Sequence, residues 1–187
     1  MEAQVLSGGF SDPARQSAHA FRALMEAMAR PGTVHTITGA KPPAPLSAAA
    51  GTALLSLCDA DITLFLAGEA DCEPVRKWLS FHTGAPLVGA TEAMFAVGTW
   101  DALAPISAFP IGTPEYPDRS TTLIVEMPQF SKDGAKLKGP GIQDEAQFGL
   151  PDIAAFQANK RQFPQGLDFY FTCKDQIAAL PRSTEVL

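Results

Sequence analysis

The chain has 187 residues, of which 46% are hydrophobic and 18% charged, with a formal net charge of −6. That length suits a single domain able to bury most of its apolar surface. An acidic balance without a Lys/Arg run excludes a binder of nucleic-acid backbones, which must neutralise phosphates with cations. The charged fraction lies below the ~25% usual for soluble domains, and this fits either a large core or a subunit partly covered by partners.

Residues 1–10 contain Gly8-Gly9 and little pattern, and are expected to form a mobile arm ahead of a single domain over 11–187. Asp12 followed by Pro13 predicts a helix start, because Asp caps the free N–H groups and Pro is pre-set for the first turn. Ala14, Ala18, Phe21, Leu24, Met25 and Met28 recur at helical spacing until Pro31-Gly32 stops the run. Val34 and Ile37 open an extended segment, and Lys41-Pro42-Pro43-Ala44-Pro45 is a stiff linker. Ser47 to Cys58 reads as a buried helix. Pro42 to Cys58 is the longest uncharged stretch and falls short of the 18 or more apolar residues of a membrane span.

Ile62 to Leu66 is β-branched and apolar, and predicts a central strand. Glu73 to Phe81 is a short helix closed by His82-Thr83-Gly84-Ala85-Pro86. Met94 to Gly98 reads as a strand. Ala104 to Asp118 carries four prolines and is an irregular crossing, long enough to suggest an interface. Thr121 to Met127 is a strand. Ser131-Lys132-Asp133-Gly134 predicts a hairpin turn into Ala135–Lys138. Ile153 to Lys160 is a helix opened by Pro151-Asp152, and Phe169–Cys173 pairs with Ile177–Leu180 across Lys174-Asp175-Gln176. Early alternation of helix and strand, with strands dominating late, predicts an α/β three-layer sandwich on a mixed sheet.

Three cysteines, Cys58, Cys72 and Cys173, are too few and too scattered for a disulfide framework or a zinc knuckle. Cys58 and Cys173 are expected to be buried hydrophobes. His19, His35 and His82 lie far apart without a second ligand at short spacing, so no metal is expected. His82, at a helix end, is either an acid–base group or a packing residue. Lys138 precedes Gly139-Pro140-Gly141-Ile142, a turn whose N–H groups can meet a phosphate, although the spacing is not that of a nucleotide-binding loop. Arg119-Ser120-Thr121 and Arg182-Ser183-Thr184 repeat a basic–hydroxyl triplet suited to an oxyanion. The candidate anion or substrate site is therefore His82, Lys138, Arg182 and Ser183, with no catalytic residue assigned. Asp168 is expected to cap the Gln165-Gly166 turn. No G-x-S-x-G elbow is present. Met1-Glu2-Ala3-Gln4 lacks the basic start of a signal peptide, which leads to a cytoplasmic reading.

Four blocks, taken in order, carry a family resemblance. They are Phe21-Arg22-Ala23-Leu24-Met25 running to Arg30-Pro31-Gly32; Phe81-His82-Thr83-Gly84-Ala85-Pro86-Leu87; Gly139-Pro140-Gly141-Ile142; and Phe163-Pro164 through Gly166-Leu167-Asp168 to Leu180-Pro181-Arg182-Ser183-Thr184. From about Ser11 onward the chain resembles the PhnH family of the bacterial carbon–phosphorus lyase system. The resemblance implies a fold like the large domain of pyridoxal-phosphate-dependent transferases, but without that cofactor. It also implies a homodimer that joins companion G, I and J subunits and supports transfer of ribose triphosphate from ATP to an alkylphosphonate. The role implied is structural or accessory. The alternative is a free-standing phosphonate- or nucleotide-binding enzyme with a pocket around His82 and Arg182.

Overall fold

The fold was analysed in a computed structural model that describes residues 6–187. Asp12 caps the first helix, α1 (Pro13–Ala29), by accepting from the Arg15 N–H at 3.3 Å. The helix turns Ala20, Leu24 and Ala27 inward. Strand β1 (His35–Thr36) follows, then α2 (Ala48–Leu57), capped by the Ser47 hydroxyl. Strand β2 (Leu64–Leu66), helix α3 (Glu73–His82), strand β3 (Phe95–Thr99) and the single turn α4 (Trp100–Leu103) complete the first half. The second half holds β4 (Thr122–Glu126), β5 (Ala135–Lys138), β6 (Ala146–Phe148), α5 (Ile153–Lys160), β7 (Asp168–Cys173), β8 (Gln176–Leu180) and β9 (Glu185–Val186).

Six strands form a mixed sheet in the order β1-β8-β7-β4-β3-β2. Strands β2, β3, β4 and β7 are parallel, and β8 and β1 run back antiparallel. Side chains alternate strictly across this sheet, as the strand period requires. Leu66, Val97, Ile124, Tyr170 and Ala179 form a cross-strand row that packs against α1, α2 and α3. The next row, Ala96, Leu123, Phe169 and Leu180, points the opposite way. It meets a second sheet, β6-β5-β9, together with Phe156 of α5. Both faces are therefore covered, and two cores lie back to back. The Tyr170 hydroxyl crosses into the helical layer and donates to the Leu24 carbonyl at 3.3 Å; burial, with Asp168 nearby, pushes its pKa up to about 12.

Several expectations are corrected. Strand β2 was expected at the centre but lies at the sheet edge. Its apolar character comes from cover on both faces and a bridge from Leu64 to Leu87. The Ser131–Gly134 bend leads into β5 without making a hairpin there; β5 pairs downstream with β6 and β9. Asp168 does not cap the Gln165-Gly166 turn: it accepts from Arg182. Cys58 and Cys173 are buried as expected, and burial reinforced by Asp59 raises the Cys58 thiol to about 12.

Residues 1–5 of the expected arm lie outside the described residues. Residues 6–10 are seated on the domain. The Leu6 carbonyl meets His82 Nε2 at 3.0 Å, the Ser7 carbonyl accepts from the Trp78 indole at 2.9 Å, and Phe10 packs on the helical core.

Phe171 is fully buried among Phe148, Phe156 and Phe169. Truncating it empties the centre of the second core, so Phe171→Ala is expected to cost about 3–5 kcal/mol. Urea unfolding followed by tryptophan fluorescence checks this, and an unchanged midpoint would refute the packing account.

Candidate functional site

The predicted residues separate into two regions on opposite faces of the main sheet. His82 belongs to the helical side, where it contacts the rings of Trp78 at 5.1 Å and Phe81 at 4.9 Å. Lys138 and Ser183 lie around β5 and β9 on the other side, and Arg182 follows the end of β8. No contact joins the first residue to the other three among the described residues.

Arg182 sits at the N-terminal edge of the parallel strands, beside the start of β7. Its backbone N–H donates to Asp168 Oδ1 at 2.8 Å, and its Nε lies 3.2 Å from both Asp168 oxygens. Nη2 donates to Asp168 Oδ2 and to the Ser120 hydroxyl at 2.6 Å, and Nη1 donates to the Pro117 carbonyl. The pair is largely buried, with side-chain exposures of 14% and 21%. The two Arg-Ser-Thr triplets thus meet: the arginine of one holds the serine of the other. Arg119 lies over the Tyr116 ring at 4.0 Å, and the Thr121 hydroxyl donates to the Ala93 carbonyl. This network pins the Ala104–Asp118 crossing to the C-terminal strands, and its donors point at protein oxygens.

Lys138 is exposed and pairs in register with Glu185. The Ser183 carbonyl accepts from Lys160 Nζ at 2.9 Å. The glycine turn after Lys138 packs against the end of α1. Gly141 has φ +81°, and a Cβ there would collide with the Ala29 carbonyl. Both the conformation and the close approach call for glycine. The Thr184 hydroxyl is buried without a hydrogen-bond partner among the described residues.

A cleft that the sequence reading missed opens at the C-terminal edge of the parallel strands, the usual ligand side of such sheets. Ala67 after β2, Thr99 of β3, Glu126 of β4 and Cys173 of β7 all line it. Its larger lobe has a volume of about 730 Å³ and adds Asp101, Lys174 and Ser47. Glu126 is the half-buried centre. Its Oε1 accepts from the Ser47 N–H at 2.6 Å and its Oε2 from the Thr172 hydroxyl at 3.0 Å. The carboxyl thereby occupies the N-terminus of α2, where free N–H groups favour an anion. Burial nevertheless outweighs those bonds and raises its pKa above the usual 4.5. With two carboxylates, Glu126 and Asp101, and one cation, Lys174, in its lining, the cleft suits a hydroxyl- or amine-bearing molecule better than a polyphosphate. No group of three or more metal-ligating side chains occurs among the described residues. The one available sequence signal was Glu126 itself, a carboxylate ending an otherwise apolar strand.

A family model for PhnH, the bacterial phosphonate metabolism protein, matches residues 8–187, and the chain belongs to that family. It is similar to the alpha-D-ribose 1-methylphosphonate 5-triphosphate synthase subunit PhnH of Rhizobium meliloti (strain 1021), with 40% identity over 99% of this chain and 97% of the relative. It is also similar to the putative C-P lyase subunit protein HtxG of Stutzerimonas stutzeri, with 28% identity over 89% of this chain and 84% of the relative.

Two predictions follow from this geometry. Arg182→Ala strands the Asp168 carboxylate, so a loss of about 3–5 kcal/mol in unfolding free energy is expected; a double-mutant cycle with Asp168→Asn should return a coupling well above that of an exposed pair. For Glu126, a folded-state pKa above the unfolded value makes the carboxyl's contribution greatest below the ordinary value of 4.5. That contribution is lost as pH rises through the folded pKa. The stability of wild type minus that of Glu126→Gln should therefore fall as pH rises from about 4.5 and then level off. A difference independent of pH across that window would sink the assignment.

Proposed function

We propose that this member of the PhnH family is a subunit of a carbon–phosphorus lyase core complex in phosphonate catabolism. In this reading it supports transfer of ribose triphosphate from ATP to an alkylphosphonate, as a structural or accessory part rather than the catalytic centre. The observation that carries the reading is 40% identity to a named synthase subunit over nearly the full length of both chains. The internal commitment of Arg182 supports it as well, because the strongest anion-binding candidate is already satisfied by protein oxygens. We further propose that the chain is a cytoplasmic homodimer when alone and assembles with companion G, I and J subunits. Its two-sided mixed sheet is compatible with a fold like the large domain of pyridoxal-phosphate-dependent transferases, used here without the cofactor.

The second reading is a phosphonate- or nucleotide-binding enzyme acting alone. It would need an anion to displace Asp168 from Arg182, or to bind near His82 on the other face. The cleft around Glu126 is the polar alternative for such a protein, and it favours hydroxyl groups over phosphates.

Co-expression with the G, I and J subunits, followed by light scattering of the purified species, decides between the two. The expected result is a stable mixed complex, with the chain alone at about twice its 19.8 kDa mass. A chain that elutes apart from every companion, yet binds ATP or methylphosphonate at micromolar concentration, would overturn the assembly role.

A further inference from the structure

Helix α1 carries two apolar faces, and among the described residues only one is covered by a core. Ala20, Leu24 and Ala27 pack inward. Ala14, Ala18, Phe21 and Met25 form a second stripe at spacings of four, three and four, the pattern by which one helix receives another. Phe21 is 49% exposed and Met25 54%. The upper part of this stripe is one wall of a groove of about 660 Å³, whose other wall is Phe10, Leu55 and His82. Phe81, 62% exposed, stands edge-on against the His82 ring at the groove's rim. The groove is preformed: His82 is held by the Leu6 carbonyl and Trp78, and a Cβ on Gly9 would collide with the imidazole. Two of the four sequence blocks meet at this surface: each sends part of its length into the helical core, through Leu24, Ala27 and Ala85, and leaves its leading phenylalanine, Phe21 or Phe81, exposed outside it.

The charge beside the stripe identifies what fits it. Arg15 and Arg22 follow Ala14 and Phe21 along one flank, both exposed and without a carboxylate partner among the described residues. Glu26, further round the helix, is engaged by Arg30 at 3.5 Å. A cationic flank on a protein of net charge −6 selects an acidic partner, since complementary potentials set register and on-rate. An antiparallel two-fold pairing of α1 with its own copy would set the two basic flanks side by side, which disfavours a second copy as the occupant.

We propose that the groove between α1 and the end of α3 docks an amphipathic segment of a companion subunit. That segment presents large apolar side chains at helical spacing, flanked by carboxylates. The proposal rests on the reading of this chain as a complex subunit and names the surface that reading leaves open. Buried aromatic anchors dominate such contacts, so Phe21→Asp and Phe81→Asp should each weaken binding to the purified companion assembly by about 10-fold or more. The double charge reversal Arg15→Glu/Arg22→Glu should slow association and flatten its salt dependence. Binding is measured by interferometry with the immobilised full-length chain, and thermal melting of each variant should match wild type. Ile153→Asp, also exposed but on α5 across the main sheet and outside the groove, should bind normally.

Wild-type binding that survives both Phe variants and the charge reversal would overturn the groove while leaving the assembly reading intact. Variants that instead convert a dimer of this chain into a monomer would assign the groove to a second copy and overturn the proposal. A wild-type chain that binds no companion would remove the assembly reading, and this surface's role with it.

Discussion

Burial of the main sheet on both faces is the constraint from which the rest of the structure follows. Strand β7 shows its force. Tyr170 must satisfy the helical layer, while Phe169 and Phe171 must satisfy the aromatic cluster behind. A strand with no solvent face can place polar groups only at its ends. Asp168 begins β7 and Cys173 closes it, and Thr172, the buried hydroxyl between, is bonded to Glu126 and the Val125 carbonyl. The two charged networks of the main sheet accordingly lie at its edges. Arg182 and Asp168 mark one edge, and Glu126 marks the other.

The two edges spend their charge differently. At the N-terminal edge, a nearly buried guanidinium and carboxylate satisfy one another and two loop oxygens, an arrangement that fixes geometry more than it adds stability. It ties together three segments distant in sequence: the proline-rich crossing, the start of β7 and the exit from β8. At the C-terminal edge, Glu126 remains beside open space, with burial working against its ionisation and hydrogen bonds from Ser47 and Thr172 supporting it. A group held in that balance responds to whatever enters the cleft, whereas Arg182 does not.

Much of the secondary structure was legible because local signals were strong. Asp12-Pro13, Ser47 and Asp152 each mark a helix start that the structure realises through a side-chain cap. The β7–β8 hairpin was legible from two apolar runs about Lys174-Asp175, where Lys174 takes φ +56°. Strand order was not legible: β2 is as apolar as a central strand because cover comes from above, below and Leu87. Strands β6 and β9 span three and two residues, too short to carry a period. The predicted site joined residues by chemical type, and the fold separated them, since His82 is held by the Leu6 carbonyl and Trp78 while Arg182 is held by Asp168, Ser120 and Pro117. Two elements of that reasoning did converge, because Ser120 and Arg182 from the two triplets bond directly. Pairing Asp168 with Arg182 required knowing the hairpin register, which sets them side by side only once Phe169 faces Leu180.

The surface of α1 has a different origin from both edges. A helix that packs against a sheet needs one apolar stripe, and the second costs solubility unless something covers it. Nothing in either core requires Phe21, Met25 or Phe81, and each would be replaceable by a polar residue if the chain functioned alone. The same holds for the low charged fraction, which the two cores explain only in part: large apolar side chains remain outside them. A subunit that contributes shape rather than reacting groups would show this distribution, with internally satisfied arginine, a sheet covered on both faces and an apolar helix face edged by exposed cations. On that argument the search for chemistry in the family belongs at contacts between subunits, with the Glu126 cleft and the α1 groove as the surfaces this chain would bring to them.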